Sequence, residues 1–175
     1  MSKTASQPNE LYFFTLTVVD WIDVFTRSVY FDYIIENLDF CQRKKNLEVY
    51  EYVIMTNHLH MICLGRDKPL SDILRDFKTF TSKGLVQLIQ NNEKESRKKW
   101  MLAAFKRHGN ENHMNKTYQF WQNMNSPTLL YNNKIIDQKA DYIHQNPVKA
   151  GFVAEPYDWY YSSAHPDSPL KTFDF

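Results

Sequence analysis

The chain has 175 residues, 43% of them apolar, which suffices for one domain with a substantial core and does not require a second. A formal net charge of +1 excludes a bulk electrostatic pull toward nucleic acid or membrane, and no apolar run approaches the roughly eighteen residues of a spanning helix. The two cysteines, Cys41 and Cys63, are too few for a disulfide framework and indicate a reduced, cytoplasmic protein.

Residues 1–10 are polar, lack a signal-peptide core and read as a flexible tail. Leu11 to Val19 is β-branched and aromatic, a first strand. Ser28 to Asn46 has helical spacing, with Tyr30, Tyr33, Ile34, Asn37, Leu38 and Cys41 on one side. Its last turn carries Arg43, Lys44 and Lys45, where positive charge suits the helix dipole. Leu47 to Met55 and Leu59 to Leu64 are two further strands. The short Thr56-Asn57 link between them marks a hairpin. Ser71 is a candidate cap for a second long helix carrying Ile73, Leu74, Phe77, Phe80, Leu85, Leu88 and Ile89. Asn91 to Lys99 reads as a charged polar segment and Met101 to Met114 as irregular. Tyr118 to Gln122 reads as a short strand. A third helix covers Asn133 to Asn146, stopped by Pro147. Residues 11–165 then form a single domain and 166–175 a C-terminal tail. The element order predicts an α+β sandwich, with a ferredoxin-like antiparallel sheet and helices packed on it.

The third strand contains His58-Leu59-His60. Alternate side chains of a strand share a face, so both imidazoles point one way and Leu59 the other. Two neutral imidazoles can bind a divalent cation and leave coordination positions open for chemistry. A histidine on a strand is more often a hydrogen-bonded structural residue, and a catalytic site needs a third ligand from another element. Neither C-x-x-C nor H-E-x-x-H occurs, which removes the zinc-finger and zincin patterns.

The third helix offers such a ligand. Residues four apart share a helix face, so Tyr142 and Asn146 present a phenol and an amide together, with Gln138 one turn earlier. Ile135, Ile136, Ala140 and Ile143 can form the packing side. Alternatively, Tyr142 is a core aromatic and Asn146 a helix terminus. Pro147 disfavours helical geometry at Asn146.

Met55-x-Asn57-His58-Leu59-His60, followed far downstream by Asp141-Tyr142-Ile143-His144-Gln145-Asn146-Pro147-Val148-Lys149-Ala150-Gly151, resembles the single-tyrosine HUH transposases. More closely, it resembles the REP-associated tyrosine transposase branch. The resemblance runs from about Leu11 to Ala164, through Asp20 to Thr26, Leu70 to Lys78, Gln119 to Gln122 and Tyr161 to Ala164. It implies the HUH nuclease sandwich, a divalent metal (Mg²⁺ or Mn²⁺) on His58, His60 and Asn146, with Gln145 or Gln138 as the fallback for Asn146, and Tyr142 as nucleophile. It also implies a 5′-phosphotyrosine intermediate with a free 3′-hydroxyl, and single-stranded DNA with hairpin-forming repeats as substrate. Monomer and homodimer are both open, with Tyr142 acting in its own subunit or in a partner.

A divalent cation would neutralise and orient the scissile phosphate. Imidazole ligands favour Mn²⁺, and cellular abundance favours Mg²⁺. A free phenol ionises near about pH 10, so the attack needs assistance from the metal, a lysine or water. Basic and stacking side chains grip single strands. The candidates are Arg75, Lys78, Lys83, Lys94, Arg97, Lys98, Lys99, Lys106, Arg107 and Trp121. Two other function classes fit the pattern: a ferredoxin-like single-stranded nucleic-acid-binding protein without cleavage, and a metal hydrolase for a small substrate.

Overall fold

The computed structural model describes residues 6–112, 117–123 and 127–175. Its elements are β1 (Tyr12–Thr17), α1 (Ser28–Lys45), β2 (Leu47–Ile54), β3 (His58–Gly65), α2 (Leu70–Asn91), α3 (Lys98–Glu111), β4 (Thr128–Leu129) and α4 (Asn133–Lys149). The sheet order is β2-β3-β1-β4 and all pairings are antiparallel. This is the ferredoxin-like α+β arrangement expected from the element order, with α4 added as a further layer.

Strand alternation divides the molecule. Tyr12, Phe14 and Leu16 of β1, with Leu59, Met61 and Cys63 of β3, pack into the main core with α1, α2 and α3. Phe13, Val53 and Ile62 face the other way and join Ile143 of α4 in a smaller core. The period-2 rule therefore puts His58 and His60 on the α4 side, since Leu59 lies in the main core. Between Val49 and Glu51, β2 carries a bulge in which the extra residue is Tyr50. Tyr50 packs against the smaller core. Glu51 accepts hydrogen bonds from His144 (2.7 Å) and Ser163, fastening α4 to the sheet. These bonds hold the Glu51 carboxyl below its ordinary range, outweighing the upward push of burial.

Several boundaries differ from the sequence expectation. The Met101 to Met114 stretch, up to its described end, is not irregular: Met101 and Phe105 are fully buried and draw Lys98–Glu111 into α3. Residues 113 and 114 lie outside the described part. Gln119 to Gln122 forms only a single bridge, Val18 to Trp121, because it meets β1 where that strand turns into the Val19–Trp21 3-10 turn. Ser71 is not the cap of α2, whose N-cap position is Pro69. Instead the Ser71 amide donates to the Ser6 hydroxyl at 2.7 Å.

Ser6 is buried, so the described part of the N-terminal segment is docked rather than loose. The C-terminal segment is also built in: Leu170 is buried in the main core and the Phe173 amide donates to the Val49 carbonyl. Helix α4 does not stop at Asn146. Pro147 is buried inside it, the Asn146 carbonyl accepts from the Ala150 amide, and Gly151, at φ 76°, follows the C-cap. Packing of the last turn outweighs the local cost of the proline.

Both cysteines are buried and free. Burial pushes their thiols up, Cys41 to about 11 and Cys63 to about 12, which leaves them unreactive packing groups. No helix among the described residues is long and apolar enough to cross a membrane.

Arg97 and Arg27 both donate to the carboxylate of buried Glu95, which also receives the Tyr30 hydroxyl. The Arg97 hydrogen bonds hold the Glu95 carboxyl down at about 2, against the opposing effect of desolvation. A carboxylate lowered on folding contributes stability above its unfolded pKa of about 4, and that contribution is lost as pH falls toward the folded value. Glu95→Gln should therefore lower stability by about 2–3 kcal/mol at neutral pH, leaving two partly exposed guanidinium groups without their buried carboxylate. In urea denaturation followed from pH 7 to the acid range, the gap between wild type and variant should close. Parallel curves would show that Glu95 does not carry this term.

Candidate active site

The site lies between the sheet face and α4. His58 and His60 stand on β3, and their ring centroids are 4.7 Å apart. His60 stacks on Phe13 of β1 at 5.4 Å, and its Nδ1 shares a hydrogen bond with the Thr15 hydroxyl at 2.7 Å. Its Nε2 therefore points toward α4, where the Tyr142 hydroxyl lies 3.5 Å away. Tyr142 is 39% exposed, so its hydroxyl is reachable from solvent.

His58 is oriented by a chain of polar contacts. The Asn57 amide nitrogen donates to the Asp23 carboxylate (2.9 Å) and to the Trp21 carbonyl (3.2 Å). These bonds fix the Asn57 side chain, so its amide oxygen faces His58 Nδ1 at 2.7 Å. An amide oxygen only accepts, so Nδ1 of His58 carries the ring proton and Nε2 holds a lone pair. That Nε2 faces the side-chain oxygen of Asn146 at 3.4 Å. Two lone-pair atoms facing each other across a gap are the donor pattern that a cation satisfies.

Electrostatics keep the imidazoles neutral. Burial lowers His60 to about 3, helped by His58 and Lys139. Burial also lowers His58, partly offset by its contact with Asn146 and by Asp23. Neutral imidazole is the ligating form. Among the described residues no group of three His, Cys, Asp or Glu side chains is placed to hold a metal. The donor atoms brought together here are two imidazole nitrogens and one amide oxygen. Asn146, rather than its alternates Gln145 and Gln138, is the one in contact with His58.

Two cations accompany Tyr142 that the sequence reading did not single out. The Lys139 ammonium is 5.6 Å and that of Lys149 is 5.7 Å from the Tyr142 ring centroid, and Lys139 also sits over Phe13. Their positions, three before and seven after Tyr142, share its helix face, which is the signal that could have found them. Thr15 and Asn57 also went unassigned, because only strand pairing and the hairpin geometry bring them to the imidazoles.

The proposed DNA-contacting residues are scattered by comparison. Trp121 is 3% exposed and donates to the Thr81 hydroxyl, so its ring is core and cannot stack on a base. Arg97 is committed to Glu95, Thr26 and the Asp23 carbonyl. Arg75 pairs with Asp72 and Asp76, and Arg107 with Asp20. Lys78 donates to the Gln122 carbonyl and Lys98 to that of Gln90. Lys83, Lys94, Lys99 and Lys106 are exposed. The helices α2 and α3, which carry most of this set, lie on the sheet face opposite α4.

No family model matches the chain. A protein of Haemophilus influenzae, provisionally assigned as a REP-associated tyrosine transposase, is 28% identical over 170 residues, covering 93% of this chain and 84% of that protein. Among solved structures, a REP-associated tyrosine transposase bound to a REP hairpin superposes with a TM-score of 0.65 at 20% identity. That alignment covers 100% of this chain and 90% of the other, and shows a shared fold. In its motifs, in sequence over nearly its whole length and in fold, the chain resembles one branch of proteins, the REP-associated tyrosine transposases.

Proposed function

We propose that the chain is a divalent-metal-dependent single-stranded DNA endonuclease and strand transferase of the HUH type. It acts on hairpin-forming repeats through a 5′-phosphotyrosine, in the cytoplasm. The observation that carries this reading is the convergence of His58, His60, Tyr142 and Asn146 on one sheet face within one chain. One protomer supplies every member, so the chemistry does not require a second copy.

His58 Nε2, His60 Nε2 and the Asn146 oxygen would hold Mn²⁺ or Mg²⁺, which supplies Lewis acidity and a template for the scissile phosphate. The protein's own groups do the rest. Thr15 and Asn57 fix the two imidazoles. Tyr142 stands at the sheet face with its hydroxyl toward His60 and open to solvent. Lys139 and Lys149 place positive charge beside the Tyr142 ring, where a phosphate would bind. The Tyr142 oxygen attacks phosphorus, its proton passing to water. The P–O3′ bond breaks, and the departing 3′ oxygen takes a proton from solvent. A second strand's 3′-hydroxyl then attacks the same phosphorus, breaks the tyrosyl–phosphorus bond and restores the phenol. Bond for bond the exchange is even, so no nucleotide cofactor is required.

Tyr142→Phe should lower formation of the covalent protein–DNA adduct by roughly a thousand-fold or more. The measurement is a denaturing gel of a labelled hairpin oligonucleotide incubated with Mn²⁺, with binding retained in a native gel. An adduct that persists in the variant removes Tyr142 as nucleophile. Wild type that binds and never forms the adduct, across sequences and metals, leaves a binding protein without cleavage.

Mn²⁺ should raise the melting midpoint of the wild type, and EDTA should reverse the shift. His60→Ala should abolish the shift. Asn57→Ala should weaken apparent Mn²⁺ affinity by about 10–100-fold, since it frees the His58 ring together with the Asp23 and Trp21 contacts that fix Asn57. A normal Mn²⁺ response in His60→Ala would place the metal elsewhere.

A further inference from the structure

Beside His58 the chain opens into a cleft of about 600 Å³, lined by Asp20, Trp21, Ile22, Asp23, Trp100, Ala103, Ala104 and Arg107. That volume falls within the range of small-molecule sites. Its two indoles are unusually open for tryptophan, Trp21 at 58% and Trp100 at 52% exposure. The backbone that presents Trp21 is strained. Asp20 and Trp21 are consecutive non-glycine residues in the left-handed region, at φ 53° and 54°. Such a conformation persists only where the surroundings hold it, and it concentrates at functional positions. Here the Arg107–Asp20 ion pair and the Asn57 bond to the Trp21 carbonyl hold it.

Trp21 and Asp23 link the cleft to the candidate active site. The Trp21 ring meets His58 edge-on at 5.8 Å, and Asp23 receives the Asn57 amide that orients His58. A single strand whose phosphate lies at His58 must send its neighbouring nucleotide along one of the walls there. This wall offers two aromatic faces, beside the Asp20–Arg107 ion pair and the Asp23 carboxylate that holds Asn57 and Thr56. It carries no lysine, so it suits a base better than a phosphate backbone.

We propose that the Trp21–Trp100 cleft binds an unstacked nucleobase next to the scissile phosphate, and so contributes to the choice of cleavage position. This rests on the single-strand cleavage reading above. Trp100 is the informative residue, because it stands on α3, away from the histidines, whereas Trp21 touches one of them.

The test uses hairpin oligonucleotides with degenerate single-stranded flanks, with 2-aminopurine placed at each flank position in turn. In the wild type, one position should be quenched on binding. In Trp100→Ala that quenching should disappear and affinity should fall about ten-fold, the loss expected for one base–aromatic stack. Trp100→Phe should recover most of the affinity, and the melting midpoints of both variants should match the wild type. If the wild type binds and forms the adduct while Trp100→Ala binds equally well and no position is quenched, the cleft is not a base site and the cleavage reading stands. If the wild type neither binds the oligonucleotides nor forms an adduct, both readings fall.

Discussion

Antiparallel pairing of β1 with β3 is the constraint on which the rest of the molecule depends. The two strands are central in the sheet, and each is covered on both faces. A slip of one residue would exchange every side chain between faces. The register pairs Thr15 with His60 and Thr17 with His58. The same pairing that buries Leu16 and Leu59 in the main core therefore holds the imidazoles on the opposite face and gives His60 its partner. Stability and site geometry are set by one ladder of hydrogen bonds, with apolar burial on one side and polar chemistry on the other. The apolar term is large, at about 25 cal/mol per Å² buried, which is why the register is not negotiable.

The second layer of control is α4. Ile143 and Pro147 are buried, and Ile135, Ile136 and Ala140 pack beside Ile143 against the smaller core, the packing side expected from the sequence. Its seat depends on that apolar contact and on Glu51, His144 and Ser163. Tyr142 thus rides on a helix laid over the sheet, while the imidazoles stand on one of its central strands.

The sheet was legible because β1, β2 and β3 are short runs of strong strand formers. The pairing of Tyr142 with Asn146 was legible because it needs only helical spacing. Other features depended on distant partners. Helix α3 has two anchors, Met101 and Phe105, inside a charged run, and only their burial against α2 and Phe120 makes it regular. Strand β4 is two residues long and exists through its pairing to β1. Trp121 and Trp100 look alike in sequence, and only the tertiary structure buries one and opens the other. Arg97 read as part of a basic patch until the fold removed Glu95 from solvent beside it.

The outer edge of β2 carries a consequence for how the chain assembles. That edge is closed by Tyr161, Ser163 and Phe173, whose backbone groups bond to Ile54, Tyr52 and Val49. The partners are far apart along the chain: Tyr52 and Ser168, bonded side chain to side chain, are separated by 116 positions. During synthesis an apolar strand edge stays open until residues 161–173 have been made. Such an edge can template pairing with another chain, and contacts of this length are slow to form. Closure of that edge therefore waits on one short segment, which through Ser163 also helps to seat α4.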